Sequence, residues 1–294
     1  VCDKITVLRN GQLVGQFTTA ELPRFQLVAK MMGKDFDDLA AIKHSGEEER
    51  NFDGEDIVIK AAGLGKQGYI KPFDLVIRKG EVIGLTGLLG SGRTELAETI
   101  FGIHKADSGE IYLNGEKVEI SGVQDAMAKG IGYVPPDRGV EGLFMDQSIA
   151  DNISVTRWAD FRKGILMDRD AIEESVNHWV KELSIKIGNI NDTMRTLSGG
   201  NAQKCVLAKW LCRDLKVLIL NGPTVGVDIG AKYDIYTLTK KLAASGLAVI
   251  IISDDIREVL LNCNRVLIMK QGRLAGEFQA EELNEATLSA KAVE

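Results

Sequence analysis

The segment Gly87–Thr94, with the sequence GLLGSGRT, contains the residues of this chain most suited to chemistry. It fits the phosphate-binding pattern G-x-x-x-x-G-K-[ST] at every fixed position except one, because Arg93 stands where the pattern has lysine. The apolar run EVIGLTG leads into the segment and a helical stretch follows it, which is the setting that the pattern requires. Glycines let backbone N–H groups approach phosphate oxygens, and a helix N-terminus adds a favourable dipole. The segment therefore predicts a phosphate-binding loop, with a purely structural turn as the alternative.

Two further motifs follow this loop along the chain. The first is LSGGNAQK, Leu197–Lys204, which precedes the apolar stretch CVLAKWLC. The second is KVLILNGPTVGVD, Lys216–Asp228, an apolar strand that ends in Pro-Thr-x-Gly-x-Asp. Alone, Ser198 would be an ordinary helix N-cap. The order of the three motifs, with LSGG about a hundred residues after the loop, favours a functional interpretation of the set.

The segments around these motifs must form the elements that position them. From residue 56 onward, apolar strand signals such as EVIGLTG, KVLIL and LAVIIIS alternate with helical ones. Buried apolar strands separated by helices predict a parallel sheet covered on both faces. The runs IVIKAAG, FDLVIRKG and GEIYLNGEKVEI predict a smaller antiparallel sheet. Helices are predicted over about 93–101, 148–156, 168–184, 199–213, 230–244 and 255–262.

Composition excludes several classes of protein. The 294 residues include 42 acidic and 36 basic side chains, with a net charge of −6 and no basic block, which argues against a nucleic-acid partner. The apolar runs fall far short of the ~18–20 residues that cross a bilayer. The four cysteines have no C-x-x-C spacing and are expected to be buried, reduced thiols: Cys2, Cys205, Cys212 and Cys263.

The two ends of the chain resemble each other. Residues 1–22 align without gaps on residues 262–283, with seven identities among the 22 positions. Each copy predicts a β-hairpin, because short apolar strands flank a two-residue turn, which is Asn10-Gly11 in the first copy. We therefore expect a fragment of a longer tandem protein. Its expected parts are the tail of a preceding repeat (1–33), a polar linker (34–55), a complete repeat (56–286) and a C-terminal tail (287–294).

Over residues 56 to about 285, the chain resembles the ATP-binding cassette family, in particular the second cassette of the tandem ATPases that energise bacterial monosaccharide importers. The narrower likeness rests on GLLGSGRTEL, GYVPPDRGVEGL, LSGGNAQK, GVDIGAKYDIY and ISDDIREVL. The resemblance implies an α/β fold: a P-loop NTPase core with a parallel sheet flanked by helices, an antiparallel β subdomain and a helical subdomain. It also implies ATP and Mg²⁺ as cofactors, and a nucleotide held between the phosphate loop of one cassette and the LSGG segment of another.

The resemblance assigns expected roles to the phosphate-loop residues. Arg93 keeps a positive charge but is bulkier than lysine, so we expect phosphate attraction with altered positioning. Thr94 is expected to offer its hydroxyl to Mg²⁺. Tyr69 is expected either to stack on adenine or to pack within the fold. The residues of this loop expected to contact nucleotide are Gly87, Leu88, Leu89, Gly90, Ser91, Gly92, Arg93, Thr94 and Glu95.

The resemblance also assigns roles that act across two cassettes. Ser198, Gly199 and Gly200 are expected to close over the γ-phosphate held by a partner cassette. Asp228 is expected to lie in the loop that couples the two nucleotide sites. These residues match the family pattern, although Asn201 and Ala202 depart from the glutamine-rich continuation that is usual there.

Other positions depart from the family pattern in ways that matter for hydrolysis. Asn221 and Gly222 stand where the family has an aspartate that holds the metal shell and a glutamate that polarises the attacking water. Pro136 replaces a loop glutamine, and Ser253 and Asp254 stand where a histidine is expected. Loss of a general base alone lowers a rate by roughly 10²- to 10⁴-fold. We therefore expect this cassette to hold ATP and hydrolyse it poorly.

The leading hypothesis is a half-subunit of an ATPase that drives sugar import at the cytoplasmic face of the bacterial membrane. Its expected partners are a first cassette or a second copy, membrane permease subunits, which Pro135–Ile153 would contact, and indirectly a periplasmic or extracellular sugar-binding protein. One alternative is a nucleotide-gated clamp without ATPase activity of its own. Another is a soluble cassette protein unrelated to transport. The transported sugar is not encoded in this sequence.

Overall fold

A six-stranded sheet lies at the centre of the chain in the computed structural model, which describes residues 2–9, 11–33, 52 and 56–293. The turn residue Asn10 and most of the linker predicted over 34–55 lie outside the described residues. The strands, in chain order, are β1 (Lys4–Arg9), β2 (Gln12–Thr18), β3 (Ile57–Lys66), β4 (Ile70–Arg78), β5 (Val82–Gly87), β6 (Ser108–Leu113), β7 (Glu116–Val118), β8 (Ile131–Val134), β9 (Arg162–Lys163), β10 (Leu166–Met167), β11 (Val217–Asn221), β12 (Ala248–Ile252), β13 (Arg265–Lys270) and β14 (Arg273–Gln279).

The central sheet has the strand order β14-β13-β5-β12-β11-β8, in which β14 is antiparallel to β13 and the other pairs are parallel. Every residue of β11 and β12 is buried, as expected for strands covered on both faces. A separate antiparallel sheet has the order β4-β3-β6-β7. The predicted fold class, a parallel α/β core with an antiparallel subdomain, is confirmed.

Helices connect the strands and cover the core, and each long helix begins at a residue suited to that position. Ser198, Asp168 and Asp228 each accept a backbone N–H of the first turn that follows them. No helix in the described ranges is long and apolar enough to cross a membrane. The helices are α1 (Arg24–Met32), α2 (Arg93–Phe101), α3 (Val123–Ala128), α4 (Ile149–Ser154), α5 (Arg169–Glu182), α6 (Gly199–Leu211), α7 (Ile229–Ala244), α8 (Ile256–Asn262) and α9 (Glu285–Val293).

The cysteines follow the prediction with one exception. Cys205, Cys212 and Cys263 are buried free thiols. Cys2 is exposed, so the prediction was wrong for this residue. Its position two residues before β1 leaves it outside the hydrophobic core, which explains the difference.

The sequence repeat corresponds to a structural repeat. The β1–β2 hairpin and the β13–β14 hairpin have the same register after a shift of 261 positions: Lys4 pairs with Thr18 as Arg265 pairs with Gln279. Both hairpins carry an irregularity at the equivalent step, Val7/Leu8 and Ile268/Met269. A short 3₁₀ segment and a helix then follow each hairpin at equivalent positions. Both predicted hairpins are therefore present, and the likeness extends through α1 and α9.

The two hairpins differ in what covers them. In the central sheet, β13 pairs with β5, and Met269 is 1% exposed. Within the described residues, β1 pairs with β2 alone, and the equivalent Leu8 is 63% exposed. The N-terminal unit contacts the rest of the chain through α1, where Val28 and Ala29 form a small core with Tyr233 and Tyr236 of α7.

Candidate functional site

Three predicted motifs meet at one edge of the central sheet. The phosphate loop follows β5, Asn221 ends β11, and Ser253 follows β12. These three strands are parallel neighbours, so their carboxyl ends lie side by side. Hydrogen bonds tie the ends together: Gly222 N donates to Ile252 O at 2.8 Å, and Thr86 Oγ1 donates to Ser253 O at 3.2 Å. In open α/β sheets, this edge is where ligands bind.

The phosphate loop is held in a tight curve that exposes backbone. Gly90 and Gly92 have φ values of 75° and 99°, which favour glycine, and Ser91 N donates to Leu88 O at 3.0 Å. The β13–β14 turn supports the loop from one side, because Gly272 N donates to Ser91 O at 2.7 Å. The loop then enters α2, whose first N–H groups have no side-chain cap. Backbone donors at a helix N-terminus form a binding site for anions.

The Arg93 side chain is buried beneath this loop and already has partners. Its Nη1 donates to Gly87 O at 2.9 Å, and its Nη2 forms an ion pair with the Asp254 carboxylate. The Arg93 side chain is 8% exposed, whereas that of Asp254 is 77% exposed. The positive charge that the sequence assigns to the phosphate is therefore neutralised by an acidic residue of the same chain.

Asn221 occupies the end of β11 and contacts the loop directly. Its Nδ2 donates to Thr94 Oγ1 at 3.3 Å and to Tyr133 Oη at 3.0 Å. Burial raises the pKa of the Tyr133 hydroxyl, although its bond with Asn221 acts in the opposite direction, so Tyr133 stays protonated. Asn221 thus connects β11, α2 and β8 through an uncharged amide.

These contacts do not fit a Mg²⁺ ion of the kind predicted at Thr94. The Thr94 hydroxyl oxygen receives an amide hydrogen from Asn221, and Mg²⁺ is held by oxygen ligands, chiefly carboxylates. Among the described residues, no cluster of three or more His, Cys, Asp or Glu side chains is placed to hold a metal ion. The described side chains at this site therefore do not form a Mg²⁺ site of their own.

Gly222 lies next to Asn221 in a backbone conformation that favours glycine. Its φ is 61°, and a Cβ built there would lie 3.0 Å from Val225 Cγ2. A side chain at this position is strained by both effects. The position predicted to carry the family's general base therefore lacks a base and has a backbone adapted to glycine.

The LSGG segment forms the start of α6, with Ser198 as its N-cap. Ser198 Oγ accepts hydrogen bonds from Asn201 N at 3.5 Å and Asn201 Nδ2 at 2.9 Å, so its hydroxyl hydrogen remains available to an anion. A Cβ on Gly199 would lie 2.8 Å from Gly226 O, and one on Gly200 would lie 2.7 Å from the Ala231 Cβ. The two glycines therefore allow α6 to pack closely against the segment around Asp228.

Asp228 and Arg138 fix that neighbouring segment. Asp228 Oδ1 accepts the N–H of Ala231 at 3.0 Å as the N-cap of α7. Arg138 donates to Val225 O at 2.6 Å and to Gly226 O at 3.0 Å. The family resemblance implies a role for Asp228 between two nucleotide sites, which stays a prediction, and in the described structure Asp228 caps α7.

Tyr69 lines a cavity of about 450 Å³ near the phosphate loop. Its ring stacks on His104 with centroids 4.8 Å apart, and His104 Nε2 lies 3.1 Å from Glu98 Oε2. Tyr69 is 50% exposed, so a second ring has access to it. Gln271, next to the Gly272 that supports Ser91, also lines the cavity. Both predicted roles of Tyr69, adenine stacking and packing, therefore remain predictions.

Sequence reasoning missed two partners of the loop. It marked Asp254 as occupying the place of a histidine and did not pair it with Arg93, 161 positions away. It did not single out Tyr133, whose hydroxyl reaches Asn221 across 88 positions. The available signal was that both residues lie at the carboxyl ends of core strands.

A phosphate loop, the parallel strand order β13-β5-β12-β11-β8 around it and an LSGG helix define a P-loop ATPase cassette as the class of protein. The sequence profile of the family described as ABC transporter matches residues 70–225, and the chain belongs to that family.

Individual relatives agree with this class. A ribose import ATP-binding protein of Rubrobacter xylanophilus is 41% identical over 292 residues, which is 99% of this chain and 55% of that protein. A ribose import ATP-binding protein of Clostridium perfringens is 36% identical over 294 residues, 100% of this chain and 57% of that protein. The chain thus spans little more than half the length of these relatives. A nucleotide-free ATP-binding cassette from an ABC transporter has the same fold, with a TM-score of 0.69, 20% identity, and coverage of 81% of this chain and 98% of that one.

Proposed function

We propose that this chain is the second cassette of a tandem ATP-binding subunit that energises a bacterial importer of a monosaccharide or related sugar. In this proposal, its own phosphate loop binds nucleotide without turning it over at a useful rate. Its LSGG segment completes the catalytic site of the preceding cassette. The names of the relatives, which are ribose import ATP-binding proteins, support the sugar class.

One contrast carries the proposal. The LSGG segment keeps its serine hydroxyl and both closely packed glycines at the start of a long helix. The phosphate loop of the same chain faces Asn221 and Gly222 instead of two acids. A site without a base and without a metal-binding carboxylate lacks the groups that ATP hydrolysis needs. The chain is thus equipped to complete a neighbour's site and poorly equipped for catalysis at its own.

The structural repeat supports the tandem arrangement. The N-terminal unit, residues 4–32, matches the end of the complete cassette element by element at a shift of 261 positions. A cassette tail at the start of the chain is expected if another cassette precedes it. Relatives that match this whole chain with about half of their own length fit the same arrangement.

The test is a comparison of the purified chain with a longer protein in which the preceding cassette is fused at Val1. We expect ATPase activity near background for the chain alone and clear turnover for the fusion. Ser198→Ala in the fusion should lower turnover sharply, whereas Asn221→Ala should lower it little. Brisk turnover by the isolated chain would contradict the proposal, as would full activity of the Ser198→Ala fusion.

A nucleotide-gated clamp with no ATPase activity of its own is the second candidate. The uncharged Asn221 and the glycine backbone at 222 favour it for the site within this chain. It differs from the first candidate in the fusion experiment, because a clamp would show nucleotide-dependent association of the cassettes without phosphate release.

We further propose that Pro135–Ile153 contacts the permease. The segment contains a short π-helix, Arg138–Gly142, and exposes two apolar side chains, Val140 at 81% and Phe144 at 59%. Exposed apolar groups on an otherwise polar surface are typical of contact sites. Replacing both with serine should reduce copurification with the permease and leave nucleotide affinity unchanged; undiminished copurification would rule the segment out.

A further inference from the structure

We propose that the phosphate loop selects a nucleoside diphosphate over a triphosphate, and that Asp254 is the residue that determines this selection. The inference rests on the nucleotide binding proposed above and specifies which nucleotide the site retains. It follows from the partners of Arg93, the charge at the sheet edge and the donors that remain for phosphate.

Arg93, the basic side chain of the phosphate loop, already has two partners within the chain. In phosphate loops, the basic side chain reaches the β- and γ-phosphates. Here Arg93 donates through Nη1 to Gly87 O at 2.9 Å and pairs through Nη2 with Asp254. The side chain is 8% exposed, so it has little room to swing towards a ligand while both contacts persist. A γ-phosphate must therefore compete with Asp254 for the same guanidinium.

Asp254 also places a negative charge at the site. It follows β12, and its partner Arg93 lies at the start of the helix that the phosphate loop enters. Two anions that share one guanidinium lie within a few ångströms of each other and repel. A triphosphate brings its terminal charge into this region, whereas a diphosphate ends one group earlier. The carboxylate therefore disfavours the triphosphate more than the diphosphate.

Nothing else among the described contacts of the site compensates for that charge. Asn221 is neutral and uses its amide to donate to Thr94 and Tyr133. The donors that serve the inner phosphates remain, namely the loop backbone after Gly87 and the uncapped first turn of α2. The site thus keeps its means of binding a diphosphate and has lost its means of holding the outer phosphate.

The experiment measures the affinities of the intact chain for ADP and for a non-hydrolysable ATP analogue by isothermal titration calorimetry, with EDTA and with Mg²⁺. We expect ADP to bind about tenfold more tightly than the triphosphate. Asp254→Asn should reduce that ratio to about threefold or less, chiefly by tightening the triphosphate. Asp254→Ser is the second variant, and a thermal melt of each shows that it is folded.

Asp255→Asn is the matched control. Asp255 is the next residue along the chain. Its Oδ1 accepts the N–H of Arg257 at 3.1 Å as the N-cap of α8, and its Oδ2 lies 3.6 Å from Lys232 Nζ. Asparagine caps helices about as well as aspartate, so this variant removes the same charge without freeing Arg93. It should keep the ADP preference of the unaltered chain.

The outcomes separate this inference from the proposed function. Equal affinities for the two nucleotides, or an unchanged ratio in both Asp254 variants, would overturn the inference and leave the proposed function standing. Loss of the preference in Asp255→Asn as well would assign it to net charge rather than to the Arg93 pair, which also overturns the role of Asp254. If the unaltered chain binds neither nucleotide, the proposed nucleotide site itself is wrong.

Discussion

Lys209, the buried lysine of α6, leads to a quantitative prediction about how the stability of the chain depends on pH. Lys209 is 8% exposed, and its Nζ donates to Gly142 O at 2.5 Å, which joins the LSGG helix to the segment proposed to contact the permease. Burial lowers the pKa of Lys209 from 10.5 to about 8. The folded chain therefore loses this proton at a pH where the unfolded chain still holds it.

The change in the free energy of unfolding with pH follows from the difference in the number of protons that the folded and unfolded states bind. Between pH 8 and pH 10, the unfolded state binds more protons than the folded state, so the free energy of unfolding rises with pH. Integrating the difference between the two titration curves over this range gives about 2 kcal/mol. Below pH 8, both states hold the proton, and the cost of burying the charge is present in full.

The assay is urea unfolding of the chain and of Lys209→Met at pH 7, 8, 9 and 10. The difference in free energy of unfolding between the two proteins should be flat up to about pH 8 and then move by about 2 kcal/mol in favour of the unaltered chain. Subtraction removes the contributions of other titrating groups and the constant loss of the Gly142 hydrogen bond. Lys181→Met, which removes an exposed lysine of α5, is the matched control for the loss of a lysine outside the interior. Parallel curves for the chain and Lys209→Met would refute a deprotonated, buried Lys209.

Four further predictions concern the candidate site. The combined change Arg93→Lys, Asn221→Asp and Gly222→Glu should raise ATPase activity by about 10²-fold in an assembly of two cassettes, because the groups act as a unit and single changes restore little. Gly222→Glu alone should instead lower the melting temperature, since its φ of 61° strains a side chain; an unchanged melt would show that the backbone relaxes. Ser198→Ala should cost the isolated chain about 1 kcal/mol of stability through loss of its cap, seen in urea unfolding, without altering its nucleotide affinity. If the Tyr69 ring stacks on the base, Tyr69→Leu should weaken nucleotide binding by about tenfold, whereas Tyr69→Phe should change it little. Equal nucleotide affinities of the unaltered chain and Tyr69→Leu would leave Tyr69 with its packing role alone.

Much of the core could be predicted from the sequence because its strands are unbroken apolar runs. Val217–Asn221 and Ala248–Ile252 are buried at every position and flanked by helices with clear caps, so length and hydrophobicity suffice to identify them. The helices α1, α3 and α9 were not predicted. Of these, α3 has six residues, and α9 buries only Leu288 and Ala292, so neither shows a sustained period.

The site was predicted less completely because its decisive contacts join distant residues. The motif at 87–94 placed a cation beside the phosphate, and spacing rules contain no information that Asp254 would neutralise it. Likewise, the sequence shows that position 222 has no side chain that could act as a base. Only the backbone angle shows that a larger residue at this position would be strained. Local motifs identify which residues gather at the edge, and tertiary packing decides which of them remain free to act.

The exposed flank of β1 has a consequence for how copies of this chain assemble at high concentration. Within the described residues, β1 pairs with β2 alone, so its other edge presents backbone N–H and C=O groups without a strand partner. An unpaired strand edge can pair with a strand of another molecule, which favours association of copies as the concentration rises.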